Sequence, residues 1–248
     1  MFASMTIIKA LLVIASTTIV AMGAPQKRFG GPLADQFWEE HPSTEDVKSG
    51  DSSWIEASIC SILERNRAEI EGHIKFDGDW RAIREASCTV FELDQHNVFT
   101  YTTGWTEDLK SNWWVHTVRN AIWKQSDAVP GGWATENFLL IDSETHAKAD
   151  TGLWKITGRE SKLETENLGF DTLRDLFLKA ENTPMVIKSK KDGLKKLSKS
   201  RFYGIKKMVQ NDIYCEVTLF DPKGGKGHTL TYDLQWFQSD VAEVGYLL

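Results

Sequence analysis

Ile213-Tyr-Cys-Glu-Val-Thr-Leu-Phe220 and His228-Thr-Leu-Thr-Tyr-Asp-Leu-Gln-Trp236, joined by Asp221-Pro-Lys-Gly-Gly-Lys-Gly227, decide the fold class. Two runs rich in β-branched and aromatic residues flank a connection made of turn formers, the signature of an antiparallel hairpin. The pattern occurs once more, in Cys88-Thr-Val-Phe-Glu-Leu93 and Val98-Phe-Thr-Tyr101 around Asp94-Gln-His-Asn97. Cys88, Val90, Asp94, Thr100, Tyr101 and Trp105 align with Cys215, Val217, Asp221, Thr231, Tyr232 and Trp236, with four extra residues in the second turn. The match suggests a helix-plus-hairpin unit duplicated over 53–125 and 170–248, with coincidence among strand-forming residues as the alternative.

Helical signals precede each hairpin. Ser53-Trp-Ile-Glu56 reads as a capping box, and Ile55, Ile59, Ile62, Leu63 and Ile70 follow at helical spacing up to Gly72. A short helical stretch begins near Asp79, and Leu173, Leu176, Phe177 and Ala180 share one face of a helix over about Thr172 to Glu181. Asn112–Trp123 fits either helix or strand, and Asn137–Ile141 with Leu153–Ile156 make a second candidate strand pair. Together these predict an α+β protein, a two-layer packing of helices on antiparallel sheet, folded as one domain over 53–248.

Composition agrees with a globular chain: 248 residues, 41% hydrophobic and 26% charged, with three Cys, exclude an intrinsically disordered chain, a collagen-like repeat and a disulfide-stapled miniprotein. Ahead of the domain, Lys9 precedes an apolar run over Ala10–Ala15 and Ile19–Val20, and Ala21-Met-Gly23 supplies the small residues of a cleavage site. Residues 1–23 therefore read as a secretory signal peptide, since the run is too short and interrupted for the ~20 apolar residues of a membrane span. Residues 24–28 end in the dibasic pair Lys27-Arg28. That arrangement resembles the prepro leaders of secreted fungal proteins cut by kexin-type proteases. Residues 29–52 are acidic and aperiodic, and read as a flexible leader. Processing at Arg28 would remove three cations and no acid, taking the formal charge from −6 to −9.

No nucleophile-elbow, zinc or phosphate-loop pattern occurs, so neither a cofactor nor a metal is expected. The best acid/base candidate is Asp142-Ser-Glu144-Thr-His146, whose period-2 spacing would place Asp142, Glu144 and His146 on one face of a strand; a polar turn is the alternative. Cys60, Cys88 and Cys215 would yield one disulfide and one spare thiol in an oxidising compartment.

Two compositional outliers point to binding. Ten Trp include the adjacent Trp113 and Trp114, one of which is the expected exposed contact. Between Lys188 and Lys207 nine basic residues face only Asp192, a local +8 threaded with Leu194, Leu197, Phe202, Ile205 and Val209, which predicts a partly amphipathic helix offering Lys195, Lys196 and Lys199 to an anionic partner. The functional expectation is a secreted effector-like or toxin-like protein of a fungal-type cell that acts by binding a host protein, a glycan or an anionic surface, outside cells or after uptake by a host cell. Nucleic acid is a secondary candidate through 188–207, and a secreted nuclease or glycosidase or a carbohydrate-binding protein is the alternative.

Overall fold

Alternation within single strands shows how the molecule is layered. The computed structural model describes residues 47, 53–76, 85–91, 98–104, 113–127, 147–211, 214–224 and 227–248. In chain order the elements are α1 (Ser53–His73), β1 (Ile74–Phe76), β2 (Glu85–Phe91), β3 (Val98–Gly104), α2 (Trp113–Asp127), α3 (Thr151–Thr157), β4 (Ser161–Glu164), α4 (Phe170–Leu178), β5 (Met185–Ser189), β6 (Phe202–Gln210), β7 (Cys215–Phe220), β8 (Thr229–Asp233), α5 (Leu234–Phe237) and β9 (Val241–Leu247). All strand pairs are antiparallel, in a three-stranded sheet β1-β2-β3 and a six-stranded sheet β4-β9-β5-β6-β7-β8.

The larger sheet has a core on each face. Val186, Phe202, Phe220 and Leu247 point into the first core with α1, α2, α3 and the smaller sheet, while their neighbours Ile187, Tyr203, Leu219 and Tyr246 point into the second, beneath α4 and α5. A strand buried on both faces shows no polar alternation, which is why β5, buried from end to end, carries no period-2 signal.

The N-terminal half of α1 is buried all round, from Ser53 to Ile62, because it lies between the two sheets. Its polar residues are all engaged. The Ser61 hydroxyl donates to Met185 O (2.9 Å) and accepts from Met185 N–H (2.7 Å), and Ser58 donates to Trp54 O. Ser53 accepts from the Phe202 N–H at 3.3 Å, and Glu56 faces Arg119 of α2, Nε to Oε1 3.3 Å. The expected capping box is therefore replaced: both of its side chains reach across the core instead of back along the helix. The helix breaks at Asn66 (φ −150°, ψ 82°), and its second half, mostly half-buried with Ile70 in the first core, leads into β1.

Several sequence expectations are corrected. Leu153–Ile156 lies in the helix α3, where Leu153 and Ile156 share a buried face at i, i+3 and Gly158 closes the last turn in the left-handed region (φ 68°) with its N–H on Trp154 O. The run to Trp236 is strand only as far as Asp233, after which α5 begins. Val47, inside the stretch read as a flexible leader, is 1% exposed in the first core. The segment 188–207 holds no helix, only the end of β5, a connection and the start of β6. Duplication is not shown: Cys88 faces Tyr101, whereas Tyr232 faces Val217, two residues out of step with the aligned Cys215. The stretch near Asp79, Asn137–Ile141, the leader cleavage positions Gly23, Lys27 and Arg28, and Asp142, Glu144 and His146 lie outside the described residues.

Candidate functional site

The basic segment is a built loop. Between β5 and β6, residues 190–201 are closed at the base by Ser189 N–H on Arg201 O (2.8 Å) and Ser200 N–H on Lys190 O (2.9 Å). Gly193 (φ 75°) and Ser200 (φ 52°) take the left-handed conformations that turn it. Ser189 Oγ donates to Ser198 O and accepts from Arg201 N–H, Tyr203 Oη accepts from Ser198 N–H, and Leu197 is buried in the second core.

At its centre stands Asp240, 0% exposed. Its carboxylate accepts the backbone N–H groups of Lys195 (2.9 and 3.0 Å), Lys196 (2.7 Å) and Leu197 (2.9 Å), with Ser239 Oγ at 3.4 Å, while its carbonyl accepts from Lys190 N–H at 2.7 Å. Burial by itself would push the carboxyl up; the three backbone donors and the hydroxyl outweigh it and hold the group below the usual carboxylate range. The carboxylate that holds these three N–H groups lies 43 to 45 residues away, so a long-range contact fixes the loop, and the amphipathic pattern does not become a helix.

The loop presents Lys195, Lys196 and Lys199 to solvent. Beside it, α5 is a single turn whose first N–H groups are capped by Asp233, the carboxylate accepting from Gln235 N–H at 2.9 Å. Leu234 and Phe237, at i and i+3, are buried in the second core, which leaves Gln235 and Trp236 facing out. Trp236 is 56% exposed, and the Lys196 ammonium lies 5.3 Å from its ring centroid. Lys195, Lys196, Gln235 and Trp236 line a shallow cavity of about 320 Å³. A second cavity, of about 420 Å³, is lined by Thr165, Asn167, Lys190, Gln238 and Ser239, among others. Asp240 supports both, since Lys195 and Lys196 of the first and Lys190 and Ser239 of the second are all bonded to it.

Not every expected site residue joins this surface. Lys188 is buried, its ammonium donating to Ala147 O (2.6 Å) and pairing with Glu243 (3.7 Å), so it contributes nothing to an exposed patch. Trp114 is 1% exposed and packs in the first core, which removes it as a surface contact; nothing is described of the Trp113 side chain. The disulfide is corrected as well. All three thiols are free and buried, Cys60 and Cys88 in the first core and Cys215 in the second, on opposite faces of the larger sheet. Burial pushes each thiol up, that of Cys88 to about 12 and that of Cys60 further with help from Glu56 and Glu64, so none is a thiolate nucleophile at neutral pH.

Asp221 lies between Arg201 (3.6 Å) and His228 (3.7 Å), but its Oδ1 accepts from Lys223 N–H at 3.1 Å, which makes it the closing residue of a turn. Among the described residues no group of three or more His, Cys, Asp or Glu is placed to hold a metal, and no helix is long and apolar enough to cross a membrane. Comparison with known proteins finds no family whose pattern matches this chain and no curated protein similar to it.

Sequence reading missed Trp236, Gln235 and Asp240. For Trp236 a local signal existed: Asp233-Leu-Gln-Trp-Phe237 is an N-cap followed by apolar residues at i and i+3, a helical turn with its tryptophan on the outer face.

Proposed function

We propose that this chain is an exported effector-like or toxin-like protein of a fungal-type cell that acts by binding a host or competitor target through the surface around Trp236. The observation that carries the reading is an exposed tryptophan beside lysines on an immobilised loop. Leaving a little over half of a Trp side chain in water forgoes about 3 kcal/mol of burial, at roughly 25 cal/mol per Å² over some 200 Å². The contact with Lys196 returns about 0.5–1 kcal/mol at an exposed site. The difference is burial that folding leaves unrealised and that a partner covering the ring gains. The signal-peptide pattern of residues 1–23 supports action outside the producing cell.

Two measurements test the reading. Expressed with its own leader in a fungal host, the protein should accumulate in the medium with a new N-terminus after Gly23 or Arg28; retention inside the cell sinks the export half. Fluorescently labelled protein should be retained on target cells in a salt-sensitive manner, and Trp236→Ala with Lys195→Glu and Lys196→Glu should lose that retention. Equal retention of the triple variant removes this surface from the function.

A further inference from the structure

Resting on that reading of the Trp236 surface, we infer that its ligand is an acidic oligosaccharide, a uronic-acid chain bound across both cavities flanking Asp240. Three features of the surface select this chemistry. The first cavity joins one aromatic face to two ammonium groups, Lys195 and Lys196, and so matches a ring whose C–H face stacks on indole while its carboxylate meets a cation. The second cavity has no aromatic lining residue; it offers the hydroxyls of Thr165 and Ser239, the amides of Asn167 and Gln238, and one ammonium, Lys190. That is a set of paired donors and acceptors for sugar hydroxyls with one further acid group.

Charge argues against the rival polyanions. Single-stranded nucleic acid is bound by successive aromatic platforms along a continuously basic groove. Here one platform is followed by a cavity with no second aromatic lining residue and a single ammonium, and the chain outside 188–207 sums to −14, or −17 once residues 1–28 are removed. Such a body repels any long polyanion, so the surface suits a short acidic ligand that meets only the local lysines. Both cavities have part of their walls fixed on Asp240, Lys195 and Lys196 through its carboxylate and Lys190 through its backbone carbonyl, so little ordering of the loop is required on binding.

The test uses the full chain and calorimetry against hexamers of galacturonate, mannuronate and glucuronate-containing hyaluronan, each beside a methyl-esterified or neutral counterpart, with a thymidine decamer and phosphatidylserine vesicles as further arms. At least one uronate hexamer should bind, its ester at least tenfold more weakly. Trp236→Ala should weaken it about tenfold with Trp236→Phe restoring part of the loss, and Lys195→Gln and Lys190→Gln should each weaken it severalfold. All of these positions are exposed, and unchanged thermal midpoints confirm that the variants fold. Lys190→Gln without effect overturns the two-cavity site, and equal affinity for the ester overturns the role of charge. If decamer or vesicles bind through Trp236 and no uronate does, the saccharide is wrong while the surface stands; if nothing in the panel binds yet target-cell retention still depends on Trp236, the outcome is the same. Loss of that dependence too overturns the surface itself.

Discussion

Asp240 shows how one side chain converts a run of lysines into a shaped surface. Its carboxyl titrates below the ordinary range in the folded protein, so the stabilisation it provides is complete above the unfolded value near 3.8 and is lost as pH falls through the lowered folded value. Amide exchange protection at Lys195, Lys196 and Leu197 should thus be constant from about pH 5 to 8, after correction for intrinsic rates, and collapse only in stronger acid. Asp240→Ala leaves three backbone donors without their acceptor and should cost about 2–3 kcal/mol in urea unfolding, with Asp240→Asn costing less because one oxygen remains. An unchanged midpoint for Asp240→Ala would mean that the serine bonds and Leu197 hold the loop alone. The cysteines make a second residue-scale case. With every thiol buried and its ionisation pushed up, intact mass after iodoacetamide at pH 8 should show no adduct on the native protein and three once it is unfolded without reductant; fewer than three would mean that a disulfide exists. The lysines of the site were legible in the sequence because they are consecutive, whereas Asp240 was not, because an acceptor 43 to 45 residues from its donors leaves no local trace.

At the scale of elements, what could be read was mostly what met water on one side, α1 being the exception, legible from its isoleucine spacing although its first half is buried all round. The β7/β8 hairpin keeps an exposed edge and turn formers, and α4 keeps a polar face opposite Leu173, Leu176 and Phe177, so both announce their period. The central strand β5 is apolar on both faces, and α3 is too short to repeat its buried face more than once; tertiary contacts, not local pattern, settle both. The close packing of α1 on β6 can be measured at Gly204, where an added Cβ would stand 2.6 Å from the backbone oxygen of Ala57. Neither backbone can yield cheaply, so Gly204→Ala should destabilise by about 1–3 kcal/mol despite gaining strand propensity. Gly72 is the contrasting position: it lies in the last turn of α1 with nothing within 4 Å of the added Cβ, and Gly72→Ala should stabilise by up to about 1 kcal/mol. If Gly204→Ala were neutral in thermal unfolding, α1 could not lie where it does on the sheet.

Across the whole molecule the two sheets are joined less by sequence likeness than by a shared core. The aligned hairpins occupy unlike places: one is two-thirds of a three-stranded sheet, the other the margin of a six-stranded one. What makes them one folding unit is α1, which buries its N-terminal half between them, and the Glu56–Arg119 pair that ties α1 to α2. Both charges are withdrawn from water, so removing one takes a close counter-charge from the other inside the core, at a cost of about 3–5 kcal/mol, whereas replacing both with apolar residues of similar volume is close to neutral. Arg119→Met should therefore lower stability by that amount, and Glu56→Leu in the same chain should recover most of it. The first core contains residues of both sheets, so the loss should shift a single transition seen equally by far-UV and near-UV circular dichroism. Two separated transitions, with only one displaced by Arg119→Met, would instead divide the chain into independent halves, and the buried pair would then belong to one half alone. A single displaced transition would place the basic loop and Trp236 on the same cooperative scaffold as the smaller sheet, which is the rigidity a preformed binding surface needs.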